Sequence, residues 1–289
     1  MHALWLRIQA YGQLIRIHQP VGLWLLGFPA LWALWLAGHG HPSEPVLIVF
    51  LAGVFLTRSA GCAINDFADR KVDPFVKRTQ DRPLARGVLR PIEAILVFTI
   101  LNLLAFCLVL NLNVQTIRLS VVGAALMIIY PFLKRVFSIP QAWLGVAFTW
   151  SIPMAYSALD QSLDFRVWIL FAAGVLWTLV YDTEYAMVDR DDDQHLPVRS
   201  SALLFGRYDR QIILGFQLGM VALLTLFGLA SGLGFWYYTG LGAAVLLMAY
   251  QQWLIRARER AGCFAAFRNN AWVGLVIFLG IAMDQWYPH

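Results

Sequence analysis

The chain has 289 residues, of which 60% are hydrophobic and only 13% charged, with a mean hydropathy of +0.63. A soluble domain carries about 25% charged residues, so a water-soluble globular protein is excluded and a polytopic membrane protein is expected. The net charge of +5 does not point to nucleic acid, because the basic residues sit in short segments between apolar spans.

A membrane-crossing helix needs about 20 apolar residues. In chain order the segments that qualify are 21–38, 46–64, 92–111, 114–132, 140–158, 165–182, 211–231, 235–254 and 270–287. The first follows Arg7 and Arg16 but has no convincing cleavage site, so it reads as a retained span rather than a signal peptide. The expected fold is all-α: one integral-membrane domain over 1–289, built as a bundle of about nine transmembrane helices. Two long acidic connections, 65–91 and 183–210, interrupt otherwise short ones. Of the 22 Lys and Arg residues, all but Arg58, Arg118 and Arg166 fall on one side of this alternation. The positive-inside rule therefore puts the N-terminus and both acidic connections in the cytoplasm. Trp and Tyr suit the membrane interfaces. Cys62, Cys107 and Cys263 are odd in number and form no CxxC, so they read as small packed hydrophobes.

The two acidic connections carry the chemistry. Carboxylates near a bilayer are expensive and mark function by default. In the first cluster Asn65, Asp69 and Asp73 are spaced i, i+4, i+8, which puts them on one face if the second helix continues through them. Asp66 flanks that face. In the second cluster Asp182, Asp189 and Asp193 share a helical face, while Asp191 and Asp192 point elsewhere. Oxygen-only donors suit Mg²⁺ and argue against zinc. The first cluster has neither the DxDxDG run nor the closing Glu of a calcium-binding EF-hand. Each cluster alone also reads as a solvated, salt-bridged connection, since Arg70, Lys71 and Arg190 are interleaved. Their recurrence on one side favours two carboxylate faces holding Mg²⁺ and a diphosphate between them.

Basic residues accompany them. Lys134-Arg135 follows Tyr130-Pro131 and reads either as a membrane anchor or as a phosphate clamp. Lys77, Arg78, Arg82 and Arg86 stand in the first acidic connection and are candidate helpers. Arg58 lies two turns before Asn65 inside a span. A charge there wants an anionic partner, which is a structural Asp, a phosphate or a substrate carboxylate. His18 reads as structural, and Trp24, Trp32 and Trp35 as packing or lipid-facing residues.

Taken together, Arg58 through Asp73, Lys77-Arg78-Thr79, Arg82-Pro83-Leu84, Tyr130 to Arg135, Trp150 to Ala155, Tyr181 to Asp193 and Ala265 to Leu275 resemble the UbiA superfamily of intramembrane aromatic prenyltransferases. The resemblance is closest to its bacterial 4-hydroxybenzoate branch and covers essentially the whole chain. It implies a nine-helix bundle in the bacterial inner membrane, with a cytoplasmic site open sideways to lipid. It also implies Mg²⁺-dependent transfer of a polyprenyl group from polyprenyl diphosphate to 4-hydroxybenzoate, ortho to the hydroxyl, in ubiquinone biosynthesis. By motif, Asn65, Asp69, Asp73, Asp189 and Asp193 are expected to hold Mg²⁺–diphosphate. Asp69, Asp189 and Arg135 are expected to be catalytic. Arg58, Lys134, Arg135, Asp73 and Asp182 are expected to bind substrate. One departure is plain: where the family commonly has RxDKPxG, this chain has Arg16-Ile17-His18-Gln19-Pro20-Val21-Gly22. The competing readings are a prenyltransferase for a menaquinone, haem or chlorophyll precursor, a CDP-alcohol phosphotransferase and a transporter. The phosphotransferase pattern fails at its Gly and Ala-Arg positions.

Overall fold

The computed structural model describes residues 2–133, 137–196 and 199–287. Every described element is helical. The helices are α1 (His2–Leu14), α2 (Val21–Ala37), α3 (Glu44–Asp69), α4 (Pro91–Val109), α5 (Val114–Leu133), α6 (Pro140–Thr149), α7 (Ser151–Ala158), α8 (Phe165–Asp193), α9 (Ser201–Phe205), α10 (Asp209–Ser231), α11 (Phe235–Leu254) and α12 (Arg260–Trp286). Six are long and apolar enough to cross a membrane, one of them continuous from Ser201 to Ser231 through α9, and α2 is a shorter apolar helix.

Local sequence explains the boundaries. Pro91 opens α4, where Glu93 reaches back to accept from the Arg90 backbone N–H at 2.7 Å. The Asp164 side chain caps α8 by accepting from Arg166 N at 2.9 Å. Gly232, in the left-handed region at φ +66°, ends α10. The segment 140–158 is not one helix but two, broken at Trp150. Pro153 has no N–H to offer the Thr149 carbonyl, which removes a helical hydrogen bond at the break, whereas Pro29 and Pro131 sit inside α2 and α5 without ending them.

Two helices run further than hydropathy foretells. α8 continues from the apolar run to Asp193, so the second acidic cluster is on a helix and not in a loop. α12 begins at Arg260 rather than near 270. Its Asn270 is satisfied inside the bundle: Trp177 Nε1 donates to Asn270 Oδ1 at 2.9 Å, and Asn270 Nδ2 donates to Glu184 Oε2 at 2.8 Å. Hydropathy sees a polar amide there; the fold has already paired both of its ends.

The core lies where α2, α8 and α12 meet. Trp32 stacks on Trp177 with ring centroids 5.0 Å apart, and its Nε1 donates to the Gly274 carbonyl at 3.0 Å. A Cβ at Gly274 would run into the Phe28 ring and stand 2.8 Å from the Trp177 ring, so only glycine fits. Of the three tryptophans singled out in the sequence, Trp32 is fully buried, Trp35 packs edge-on against Phe278, and Trp24 is exposed beside Phe28. α4 and α5 bury almost nothing besides Ala94, Ala105, Thr116 and Pro131. Many of their Leu, Ile and Val side chains are exposed on the outside of the bundle, as lipid-facing helices require. Cys62 and Cys263 pack inside as expected, but Cys107 is exposed on α4, where apolar surroundings are supplied by lipid rather than by protein.

Candidate active site

α3 and α8 run side by side in function: each carries carboxylates at the same end of the bundle, and one cavity of about 430 Å³ lies between them. Asn65 and Asp69 reach it from α3, and Asp182, Asp189 and Asp193 from α8. The α8 spacing works as helical periodicity predicts, since positions seven and eleven residues beyond Asp182 return to the same wall. The α3 spacing does not. α3 ends at Asp69, and Asp73 stands on a separate 3-10 turn, Asp73–Phe75. Pro74 disfavours helical backbone at the residue before it. Asp73 still lines the cavity, brought there by the turn and not by the helix.

Arginines hold this acidic wall together. Arg78 donates to Asp189 through Nε at 3.0 and 3.1 Å and through Nη2 at 2.5 Å. Its guanidinium also lies 4.4 Å from the Tyr185 ring centroid, and Tyr185 packs on Phe267 at 4.4 Å. Arg82 Nη1 donates to both Asp73 oxygens at 3.0 and 2.9 Å. Asp66, read as a flanking member of the cluster, is fully buried between Arg16 at 2.6 Å and Arg82 at 3.1 Å. It is the hub that ties the α1–α2 connection, the end of α3 and the loop after it. Burial pushes the Asp73 carboxyl up, Arg82 opposes this, and the neighbouring Asp69 and Asp66 add to it. Burial works against the Arg78 guanidinium, but Tyr185 and Asp189 outweigh it and hold its pKa above the ordinary arginine value. Arg16 is held high in the same way, by Asp66 against burial.

Arg16 is the site residue that sequence reasoning missed as a participant. Its backbone is left-handed at φ +56°, a conformation costly for a non-glycine residue and often kept where function needs it. The neighbouring His18 and Gln19 are exposed and do not line the cavity. The departure from the family motif therefore leaves the arginine contact intact. Gly22 of the same motif has a packing reason: a Cβ there would come within 2.8 Å of Arg58 Cζ.

Arg58 lines the cavity and is half-buried; its Nη1 contacts the Cys62 thiol. Among the described residues no carboxylate forms an ion pair with it. Of the helpers, Arg78 and Arg82 reach the cavity and Arg86 does not, while Lys77 offers its backbone N–H to Asp192 at 3.2 Å. Asp192, which points away from the carboxylate face, is held by Arg260 at 2.9 Å, whereas Asp191 is exposed. Lys134 and Arg135 lie outside the described residues. Tyr130 and Arg199 line the cavity too.

Every carboxylate and amide on this wall is a hard oxygen donor, the chemistry Mg²⁺ prefers. As arranged here, no three Asp, Glu, His or Cys side chains among the described residues are gathered closely enough to hold a metal. Asp73 and Asp189 face arginine cations in that role. Away from this polar end the cavity becomes apolar along Val49, Phe50, Val54, Phe106, Val109 and Met154.

Residues 26–279 match the model of the UbiA prenyltransferase family. The chain is 52% identical over 281 residues to the 4-hydroxybenzoate octaprenyltransferases of Salmonella newport (strain SL254) and Salmonella agona (strain SL483), covering 97% of this chain and 97% of each relative. Among solved structures, the apo UbiA homologue from Aeropyrum pernix K1 superposes with a TM-score of 0.79 at 26% identity, over 90% of this chain and 97% of that one. A UbiA homologue from Archaeoglobus fulgidus bound to GPP and Mg²⁺ shares the fold, with a TM-score of 0.71 at 16% identity over 95% of this chain and 99% of that one. The chain belongs to the UbiA prenyltransferase family.

Proposed function

We propose that this chain transfers a polyprenyl group from polyprenyl diphosphate to 4-hydroxybenzoate, at the ring carbon ortho to the hydroxyl, and releases diphosphate. The observation that carries the reading is a single cavity with a carboxylate–arginine mouth and an apolar interior. Such a cavity suits a donor that is strongly anionic at one end and hydrocarbon along the rest. The choice of acceptor follows the name of the relatives that are 52% identical over nearly the full length.

In this reading Asn65, Asp69, Asp73, Asp189 and Asp193 hold Mg²⁺, whose chemistry is to neutralise the diphosphate and make it a good leaving group. Arg78 and Arg82, which now pair with Asp189 and Asp73, are placed to bind phosphate oxygens through charge-assisted hydrogen bonds. Lys134 and Arg135 are assigned to the same anion, Arg135 as a catalytic residue. Arg58 receives the carboxylate of the acceptor, because it is a cavity-wall cation that pairs with no carboxylate among the described residues. Asp182, one helical face from Asp189, borders the acceptor. The donor carbon–oxygen bond breaks, a carbon–carbon bond forms to the ring, and the ring loses a proton. The apolar lining keeps water from the allylic cation in between.

The protein sits in the bacterial inner membrane as one domain over 1–289, crossing nine times, with its N-terminus and the cavity mouth on the cytoplasmic side. Membranes carrying the chain, given 4-hydroxybenzoate and labelled polyprenyl diphosphate, are expected to form ring-prenylated product with Mg²⁺ and none without it. Absence of product with every donor length, alongside product from a different aromatic acceptor, would move the chain to another branch.

A further inference from the structure

Arg190 and Arg258 both pair with the buried Asp209, and Arg260 holds Asp192. These contacts set the start of α10, the end of α11 and the start of α12 at the same end of the bundle as the carboxylate mouth. Three arginines beside them have no such partner. Arg207 stands on the 3-10 turn Gly206–Tyr208 before α10, Arg210 in the first turn of α10, and Arg256 on the 3-10 turn Ile255–Ala257 after α11. Among the described residues none of the three forms an ion pair.

Two sets of contacts gather these cations along one seam. Arg258 Nη2 donates to the Arg207 carbonyl at 2.9 Å. Gln252 Nε2 donates to Gln217 Oε1 at 2.9 Å and to the Arg210 carbonyl at 3.5 Å, which ties α11 to α10. Aromatic rings then hold two of the guanidinium groups. Arg256 lies 4.0 Å from the Trp253 ring centroid, and Trp253 stacks on Tyr250 at 5.7 Å. Arg207 lies 4.8 Å from the Tyr208 ring centroid and donates to its hydroxyl at 2.6 Å. A stacked guanidinium keeps its fork of donors and gives up less freedom when it binds phosphate. Arg210 Nε lacks an acceptor where it lies, so that side chain gains hydrogen bonds by turning to a phosphate.

The surroundings are those of a membrane interface. Tyr208, Tyr250 and Trp253 are all exposed, and such rings settle at headgroup level. Leu214 and Leu218 follow Arg210 at intervals of four along α10, on one helical face, and both are exposed. Leu246 precedes Tyr250 and Trp253 on one face of α11 and is exposed as well. The seam therefore offers cations at the mouth end, aromatic rings beside them and apolar side chains further along both helices.

We propose that this seam between α10 and α11 binds an anionic phospholipid, its phosphate held by Arg207, Arg210 and Arg256 and its acyl chains laid along the exposed leucines. The inference does not depend on the reaction assigned above. A zwitterionic lipid fits the apolar part equally well but brings its own cation to the three arginines, so the seam discriminates by headgroup charge.

The test counts bound lipid. The purified protein in neutral detergent is mixed with equal amounts of phosphatidylglycerol and phosphatidylcholine of the same acyl chains, and retained lipids are measured by native mass spectrometry. The wild type is expected to retain phosphatidylglycerol over phosphatidylcholine by about tenfold or more, since each arginine at an anionic surface is worth about fivefold. Arg207→Gln, Arg210→Gln and Arg256→Gln combined are expected to bring the ratio close to unity. A second triple variant, Lys71→Gln, Lys77→Gln and Arg86→Gln, removes the same charge from exposed positions in the connection after α3 and is expected to keep the wild-type ratio. Equal retention of both lipids by the wild type, or a wild-type ratio in the first variant, would overturn the proposal. An equal loss in both triple variants would overturn it too, because diffuse charge would then suffice. Displacement of phosphatidylglycerol by millimolar inorganic phosphate would assign the arginines to a free anion instead. Should the first variant not purify, Arg256→Gln alone is expected to lower the ratio by about fivefold, and an unchanged ratio there counts equally against the site.

Discussion

Arg78 grips both carboxylate oxygens of Asp189 across the cavity, joining the loop after α3 to the end of α8. The pair is what makes two acidic segments, more than a hundred residues apart in the chain, into one site. Its guanidinium also rests on Tyr185, so position and charge are both fixed. Arg78→Ala is expected to raise the KM for the prenyl donor and lower kcat/KM by about ten- to a hundredfold, the value of a charge-assisted contact. Arg78→Lys keeps the charge but not the bidentate fork or the stacking, and recovers only part of that loss. Steady-state kinetics on membranes checks both, and wild-type kinetics in either variant would contradict the assignment.

Asp66 presents a different case. It is fully buried and faces Arg16 and Arg82 together. Asp66→Asn takes the carboxylate partner from the largely buried Arg16 and one of two from Arg82, which costs about 3–5 kcal/mol for a buried pair. The expected outcome is a clear fall in the melting temperature of the detergent-solubilised protein together with lost activity. Asp191→Asn, at an exposed position, is expected to change neither.

Part of this site was legible in the sequence and part was not, for physical reasons. Periodicity found the α8 wall, because Asp182, Asp189 and Asp193 belong to one unbroken helix. It misjudged Asp73, because Pro74 breaks the helix that periodicity assumes; the Asp-Pro pair was the available signal. Hydropathy located the apolar segments, yet ended α8 and began α12 at the wrong residues, since buried polar atoms such as Asn270 and Glu184 are paired across helices. Asp66 and Arg16 went unrecognised as partners because nothing local in a sequence shows a contact fifty residues apart. The left-handed backbone of Arg16 leaves no trace in its residue type.

Gly22 offers a test of the Arg58 assignment that leaves Arg58 itself in place. A Cβ at position 22 would press on the Arg58 guanidinium, and a flexible side chain yields before a backbone does. Gly22→Ala is therefore expected to fold and to bind the donor normally, but to raise the KM for 4-hydroxybenzoate several-fold, about 1 kcal/mol of lost carboxylate contact. A rise in donor KM with an unchanged acceptor KM would instead place Arg58 on the diphosphate.

The proposed function rests above all on carboxylates from α3 and α8 holding the metal and the diphosphate jointly. Its most direct test is prenyl transfer to 4-hydroxybenzoate by membranes carrying the wild type, Asp69→Ala or Asp189→Ala, measured across a Mg²⁺ titration. Each substitution is expected to abolish product or to shift its Mg²⁺ requirement to much higher concentration. Undiminished product with an unchanged Mg²⁺ dependence in either variant would contradict it.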